Sequence, residues 1–135
     1  MYPGTPAGET ITRCGMAMVQ IRRVYSRPSP HDGLRILVDR MWPRGCKKEL
    51  LRLDAWRKDL APSTELRKWF DHDPLKWAEF CVRYRRELRR PDQHRAIEDL
   101  ARLARNQTVT LLFSAADTAH NQAVVLKELI ERAGG

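Results

Sequence analysis

Two loops of the sequence carry side chains of the types that bind or transform anionic molecules. Residues 39–45 (DRMWPRG) follow the apolar run LRILV, and residues 114–121 (SAADTAHN) follow the run TVTLLF. Arginine guanidinium groups bind carboxylates and phosphates through paired hydrogen bonds. A histidine near an aspartate can transfer protons when the carboxylate orients its ring. Together the loops predict an anion site with acid–base groups.

The first loop places an acid, two bases and an indole within seven residues. We predict that Asp39 is catalytic and that Arg40, Trp42 and Arg44 bind ligand. A type I turn with Pro43 as its second residue would hold the Arg44 side chain in a defined place. The structural alternative is that Asp39 pairs with Arg40 or Arg44 while the Trp42 ring closes the end of the sheet. Taken alone, this stretch favours the structural alternative, since structural ion pairs are common.

The second loop leads into the last predicted helix, whose free N–H groups favour an anion. Asp117 and His120 are candidate catalytic residues, and Ser114 and Asn121 are candidate ligand-binding residues. If His120 lies in the first helical turn, the helix dipole favours its neutral ring, which Asp117 could orient as a general base. The alternative is that Asp117 or Thr118 is only the helix N-cap, and for Asp117 alone we favour the cap.

The elements that position these loops follow from the apolar pattern. Residues 18–26, 34–40 and 108–115 predict strands, and residues 63–70, 73–88, 91–106 and 117–135 predict helices. The second and third strands are nearly continuous in apolar residues and are joined by a long helical crossover, which is typical of buried parallel strands. We therefore predict a small three-layer α/β sandwich. Its short, mainly parallel sheet has three or four strands, and about four to five helices cover it. Both loops then lie at the carboxyl edge of the sheet.

Length and composition indicate one domain over residues 18–135, preceded by a flexible lead-in over residues 1–17. The three cysteines lack C-x-x-C spacing, which favours a reducing cytoplasm over a disulfide framework. No apolar run is long enough to span a membrane, and no secretory signal is visible. The triplet DHD at residues 71–73 is a weak metal candidate, so we predict neither a metal nor a cofactor. Oligomeric state is left open.

The net charge of +8 comes from two segments, residues 35–59 and 83–105, each with eight basic and four acidic residues. Such a charge attracts anionic metabolites or nucleic acid. A nucleic-acid-binding or regulatory module, with residues 83–90 as the contact helix, is therefore the alternative function. The chain lacks a helix-turn-helix, zinc-finger or RNA-recognition motif, which makes that alternative the lesser one.

Four blocks of the sequence resemble the YeaO-like family of the bacterial "domain of unknown function 488" group. The blocks are RILVDRMWPRG, LDAWRKDLAPSTELRKWF, HDPLKWAEFCVRYRREL and TVTLLFSAADTAHNQAVVL. The resemblance implies a compact cytoplasmic α/β domain of no established reaction, in which Asp39, Arg44, Asp117 and His120 belong to the family pattern. Cys46 departs from the aliphatic residue usual there, which argues against a cysteine nucleophile. The expected function is an anionic small-ligand site, with hydrolysis or group transfer as its most concrete form.

Overall fold

The computed structural model describes residues 18–134, which form a four-stranded sheet and five α-helices. The strands are β1 (Val19–Arg23), β2 (Leu34–Leu37), β3 (Ala55–Trp56) and β4 (Val109–Phe113). The helices are α1 (Lys48–Leu51), α2 (Thr64–Phe70), α3 (Trp77–Glu87), α4 (Pro91–Ala104) and α5 (Gln122–Gly134). The predicted lead-in, residues 1–17, lies outside the described residues.

The sheet has the order β1-β4-β2-β3, and every neighbouring pair is parallel. Ile36 of β2 lies opposite Leu111 of β4, and Leu37 lies opposite Leu112. The predicted α/β class and the predicted parallel pairing of β2 with β4 are thereby confirmed. Because β2 and β4 end side by side, the loops that follow them leave the sheet at the same edge.

The two faces of the sheet are covered unequally. Ile36, Leu111 and Phe113 pack into a large core together with buried residues of α2, α3, α4 and α5. Leu37 and Leu112 face the other way, into a small cluster that α1 and its flanking loop cover. The alternation of side chains along a strand explains why neighbouring residues enter different cores. The third layer of the predicted sandwich is therefore thin.

Several predicted boundaries differ from the structure. Strand β2 ends at Leu37 rather than at residue 40, and the sequence analysis predicted no strand at the two residues of β3. The helix predicted over residues 73–88 begins later than expected. Asp73 caps a 3-10 turn (Pro74–Lys76), where its Oδ1 accepts from Leu75 N at 3.0 Å, and α3 follows from Trp77. Gly33 has φ 62°, and a Cβ there would lie 2.0 Å from the Thr108 carbonyl oxygen, so only glycine fits at the start of β2.

Candidate functional site

The loops after β2 and β4 meet around one cleft of about 530 Å³ at the carboxyl edge of the sheet. The first loop contributes residues 39–44, and the second contributes residues 114–116 together with residues 120–122. The convergence follows from topology, because ligand clefts of open parallel sheets form where neighbouring strands end. Of the eight predicted site residues, seven line the cleft, namely Asp39, Arg40, Trp42, Arg44, Ser114, His120 and Asn121.

Asp39 joins the two loops. Its side chain is 7% exposed; Oδ2 accepts from Ser114 N at 3.0 Å, and Oδ1 accepts from Gln122 Nε2 at 2.5 Å. The predicted alternative, in which Asp39 pairs with Arg40 or Arg44, is wrong, since no ion pair within residues 18–134 includes Asp39. The carboxylate fastens the loops to each other and still faces the cleft.

Burial raises the pKa of Asp39 above its ordinary value, and the hydrogen bonds from Ser114 and Gln122 only partly offset that increase. Desolvation prevails because no cation of the described residues forms an ion pair with the carboxylate. A carboxyl group of this kind takes up a proton more readily than an exposed one.

The arginines of the cleft divide into anchored and free side chains. Arg40 donates from Nε to the Pro62 carbonyl at 3.0 Å, so one edge of its guanidinium is engaged. Arg44 is exposed, and its side chain has no hydrogen-bond or ion-pair partner within residues 18–134. The turn that carries it is closed by Cys46 N and the Pro43 carbonyl at 3.3 Å, with Gly45 at φ 77°. Pro43 is therefore the first residue of this turn and not the second, so the turn begins one residue later in the chain than predicted.

Trp42 serves both the structure and the cleft. Its ring packs edge-on against Trp56 with centroids 5.2 Å apart and belongs to the small core, while Nε1 donates to the Cys46 carbonyl at 2.8 Å. Trp56 Nε1 in turn donates to the Asp39 carbonyl at 2.7 Å. The expectation that the Trp42 ring closes the sheet end agrees with this packing. The ring is half-buried, so part of it remains on the cleft wall.

His120 and Asp117 form a pair, but only His120 lines the cleft. His120 Nδ1 lies 2.9 Å from Asp117 Oδ2. The hydrogen bond with the His120 ring, followed by the bond from Ala119 N, lowers the pKa of Asp117, so this carboxylate is an acceptor and Nδ1 carries the proton. The ring edge also contacts Trp77, with centroids 5.2 Å apart. Asp117 is thus placed to orient the ring rather than to contact a ligand.

The prediction that Asp117 or Thr118 caps the last helix is wrong. Helix α5 begins at Gln122, and Asn121 Oδ1 accepts from Ala123 N at 2.9 Å and from Val124 N at 3.3 Å. His120 therefore precedes the helix, and the expectation that a first-turn dipole favours its neutral ring fails. Asn121 is 2% exposed and its Nδ2 donates to the Asp117 carbonyl at 3.0 Å, so its side chain is occupied by structure.

Comparison with known proteins supports the resemblance seen in the sequence. The family described as "Inactive DUF488-N3 subclade" matches residues 18–134. The chain belongs to this family. It is 46% identical over 110 residues to the "Uncharacterized protein YeaO" of Escherichia coli (strain K12), covering 82% of this chain and 94% of that protein. It is 40% identical over 112 residues to the "Uncharacterized protein Rv3073c" of Mycobacterium tuberculosis (strain ATCC 25618 / H37Rv), covering 83% and 92%. No solved structure matches this DUF488 chain significantly.

Three charged or amide side chains of the cleft escaped the sequence analysis of this DUF488 chain, namely Arg23, Arg67 and Gln122, and His72 was considered only within the metal triplet at residues 71–73. Arg23 ends β1 and donates to the carbonyls of Ser114 and Ala115 at 3.0 and 2.9 Å. If the sequence analysis had placed β1 beside β4, Arg23 would have been a candidate, because ligand clefts form where neighbouring parallel strands end. Arg67 and His72 come from α2 and the residues after it, and no local signal connects them to the loops. Arg67 is exposed, without a side-chain partner among residues 18–134.

The predicted contact helix for nucleic acid is partly neutralised. Arg83 pairs with Glu79 at 2.9 Å and lies over the Trp69 ring, and Arg85 pairs with Glu128. Three exposed arginines remain along this segment, Arg86, Arg89 and Arg90. Within residues 18–134 no group of three His, Cys, Asp or Glu side chains is arranged as a metal site. In the same range no helix has the length and apolar character needed to cross a membrane.

Proposed function

We propose that the cleft binds a small molecule that carries a carboxylate or phosphate group. The observation that supports this proposal is the charge of the lining, in which Arg23, Arg40, Arg44 and Arg67 accompany one carboxylate, that of Asp39. Arg44 and Arg67 are the principal binding groups, because their guanidinium donors are not used by acidic or carbonyl groups of residues 18–134. A cleft of about 530 Å³ is within the range of small-molecule sites.

Hydrolysis or group transfer is the finer form of this proposal. The Asp117–His120 pair supports it, since a carboxylate that holds Nδ1–H leaves Nε2 as an acceptor for a ligand proton. The family description, which calls the subclade inactive, favours binding without turnover. We therefore propose ligand binding as the function in the cytoplasm, a location favoured by the cysteine pattern, and product analysis of any bound ligand tests the catalytic form.

The proposal is tested by thermal shift with inorganic phosphate, sugar phosphates, nucleotides and organic acids. An anion that binds the folded protein raises its melting temperature in a concentration-dependent way. Arg67→Gln removes a hydrogen bond between charged groups, and such bonds contribute about 1.5–3 kcal/mol, so we expect affinity to fall about tenfold to a hundredfold. Arg44→Gln is expected to act in the same direction.

Arg89→Gln is the matched control, because it removes an equal charge from an exposed arginine that does not line the cleft. The control should bind the anion as the unmodified protein does. If no anion shifts the melting temperature, or if the control loses as much affinity as Arg67→Gln, the cleft is not an anion site. Strong, salt-dependent binding of an oligonucleotide that Arg89→Gln weakens would instead favour the nucleic-acid alternative.

A further inference from the structure

The Asp39 carboxylate has acceptor capacity that the described chain does not use. A carboxylate offers about four lone-pair sites. The side chain of Asp39 receives one bond at Oδ2 from Ser114 N and one at Oδ1 from Gln122 Nε2, and the Ser114 hydroxyl is a third neighbouring donor. Buried carboxylates are usually paired with a cation or fully hydrogen-bonded. Asp39 lies in the cleft lining, has no cation partner within residues 18–134, and keeps an acceptor site for a bound molecule.

We propose that Asp39 accepts a hydrogen bond from the ligand, so that the ligand carries an ammonium or hydroxyl group in addition to its anionic group. This inference rests on the proposed function for the anionic end, which Arg44 and Arg67 bind. The ligand class is therefore a small amino acid-like or hydroxy acid-like anion, or the corresponding phosphate.

The charges of the lining support a ligand with two different ends. A second anionic group beside Asp39 would meet a like charge in a buried place, which disfavours binding. An ammonium or hydroxyl group there supplies the donor that the carboxylate lacks. The described part of the chain, residues 18–134, offers no such cation at this point, since Arg40 donates to the carbonyls of Ala61 and Pro62 and Arg23 to those of Ser114 and Ala115.

The competing explanation is that Asp39 only fastens the two loops together. A fastening role predicts that changes at Asp39 alter the affinity for all ligands equally. A ligand-reading role predicts that they alter the preference between ligands of one skeleton. Matched ligand sets therefore separate the two explanations.

The experiment measures dissociation constants by calorimetry for two ligand sets of constant skeleton. The first set is butyrate, 4-hydroxybutyrate and 4-aminobutyrate, and the second is ethyl phosphate, 2-hydroxyethyl phosphate and O-phosphoethanolamine. We expect the hydroxyl-bearing or amine-bearing member of a set to bind about tenfold more tightly than its parent, the gain typical of one hydrogen bond to a charged group. Whichever of the two members, hydroxyl-bearing or amine-bearing, gains more affinity over the parent identifies the donor group that Asp39 accepts.

Asp39→Asn should abolish this preference while it keeps the affinity for the parent anion. The asparagine oxygen can still accept from Ser114 N, and the Gln122 amide can turn over to present its oxygen. Gln122→Ala is the second variant, in case Asp39→Asn fails to fold. It leaves Asp39 ionisable and frees one more acceptor site, so we expect the preference for the donor-bearing ligand to persist or increase.

Equal binding of all members of a set would overturn this inference and leave the proposed anion site standing. Survival of the preference in Asp39→Asn would also overturn it. The absence of binding by every member of both sets would overturn the inference together with the proposed function. Loss of the preference in Gln122→Ala with parent affinity unchanged would assign the discrimination to Gln122 and likewise contradict the role given to Asp39.

Discussion

Asp32 and Asp39 are both buried, yet their surroundings shift their pKa values in opposite directions. Burial raises the pKa of each carboxyl group. At Asp32 the bond from Ser29 N and the guanidinium groups of Arg22 and Arg35, at 2.8 and 2.5 Å, outweigh burial, so its pKa is lowered. At Asp39 no arginine is paired with the carboxylate and burial prevails. The difference between the two residues is therefore the presence of a cation.

These opposite shifts predict opposite pH dependences of stability. Asp32 stabilises the folded state above its unfolded pKa, and that contribution is lost as pH falls through its lowered folded pKa. Asp39 contributes most when it is protonated, below its unfolded pKa, and the contribution is lost as pH rises through its raised folded pKa. Asp32→Asn should thus cost about 3 kcal/mol near neutrality and less in acid. Asp39→Asn should cost most in acid and least near neutrality.

Urea unfolding of both variants and of the unmodified protein, from pH 3 to pH 8, measures these differences. Asp71→Asn is a suitable control for the substitution itself, because Asp71 is exposed and its side chain has no hydrogen-bond or ion-pair partner within residues 18–134. Parallel pH profiles for Asp32→Asn and Asp39→Asn would contradict the assignment of a cation to the first carboxylate alone.

At the scale of elements, the start of α5 determines how the second loop faces the cleft. Asn121 caps the helix and also holds the Asp117 carbonyl, while Asp117 holds the His120 ring. Removing the cap should therefore destabilise the helix and release the loop. The three residues Asp117, His120 and Asn121 act as one unit, although their sequence spacing suggested a cap followed by a helical turn.

Asn121→Ala is expected to lower the free energy of unfolding by about 1–2 kcal/mol, because it removes the side-chain cap from the Ala123 N–H group, while Val124 N keeps its bond to the Asn121 carbonyl. Thr118→Ala is the matched control at the other predicted cap. Thr118 is exposed, so we expect a change within about 0.5 kcal/mol. Urea unfolding followed by far-ultraviolet circular dichroism measures both. A cost at Thr118 equal to that at Asn121 would mean that the helix begins earlier than Gln122.

At the scale of the whole molecule, the sheet separates a thick core from a thin one. Leu111 and Leu112 are adjacent on β4 and are 0% and 1% exposed, but Leu111 packs against the long helices and Leu112 against α1 and its loop. Substitution of these two equally buried leucines therefore compares the packing of the two cores. The cost of truncating a core side chain depends on how far its surroundings can collapse into the space left behind.

Leu111→Ala should cost about 2–5 kcal/mol, the range for leucine truncation in a well-packed core. Leu112→Ala should cost less, because the four-residue helix α1 and its flanking loop can move inward. Denaturant unfolding of the two variants under one set of conditions makes the comparison direct. A larger cost for Leu112→Ala would show that the thin layer is the more rigid one.

The elements with strong local patterns could be predicted from the sequence. The run Ile36-Leu37-Val38 and the run of residues 109–113 indicated buried parallel strands, and the long crossover between them indicated that the two loops share one edge of the sheet. Ser63 and Asp73 are also residue types typical of caps, since short polar side chains before a helix accept its first N–H groups. These features depend on neighbours in the chain and on the periodicity of strands and helices.

Other features were decided by tertiary structure alone. The two residues of β3 are too few for a periodic pattern, and the ladder beside β2 is what makes them a strand. The choice of Asn121 over Asp117 as cap depends on where the backbone turns. Arg23 and Arg67 reach the cleft because distant segments fold beside it. Whether Asp39 pairs with an arginine or stands alone was likewise undetermined by sequence, because charge pairing depends on side-chain distances that only the packed fold sets.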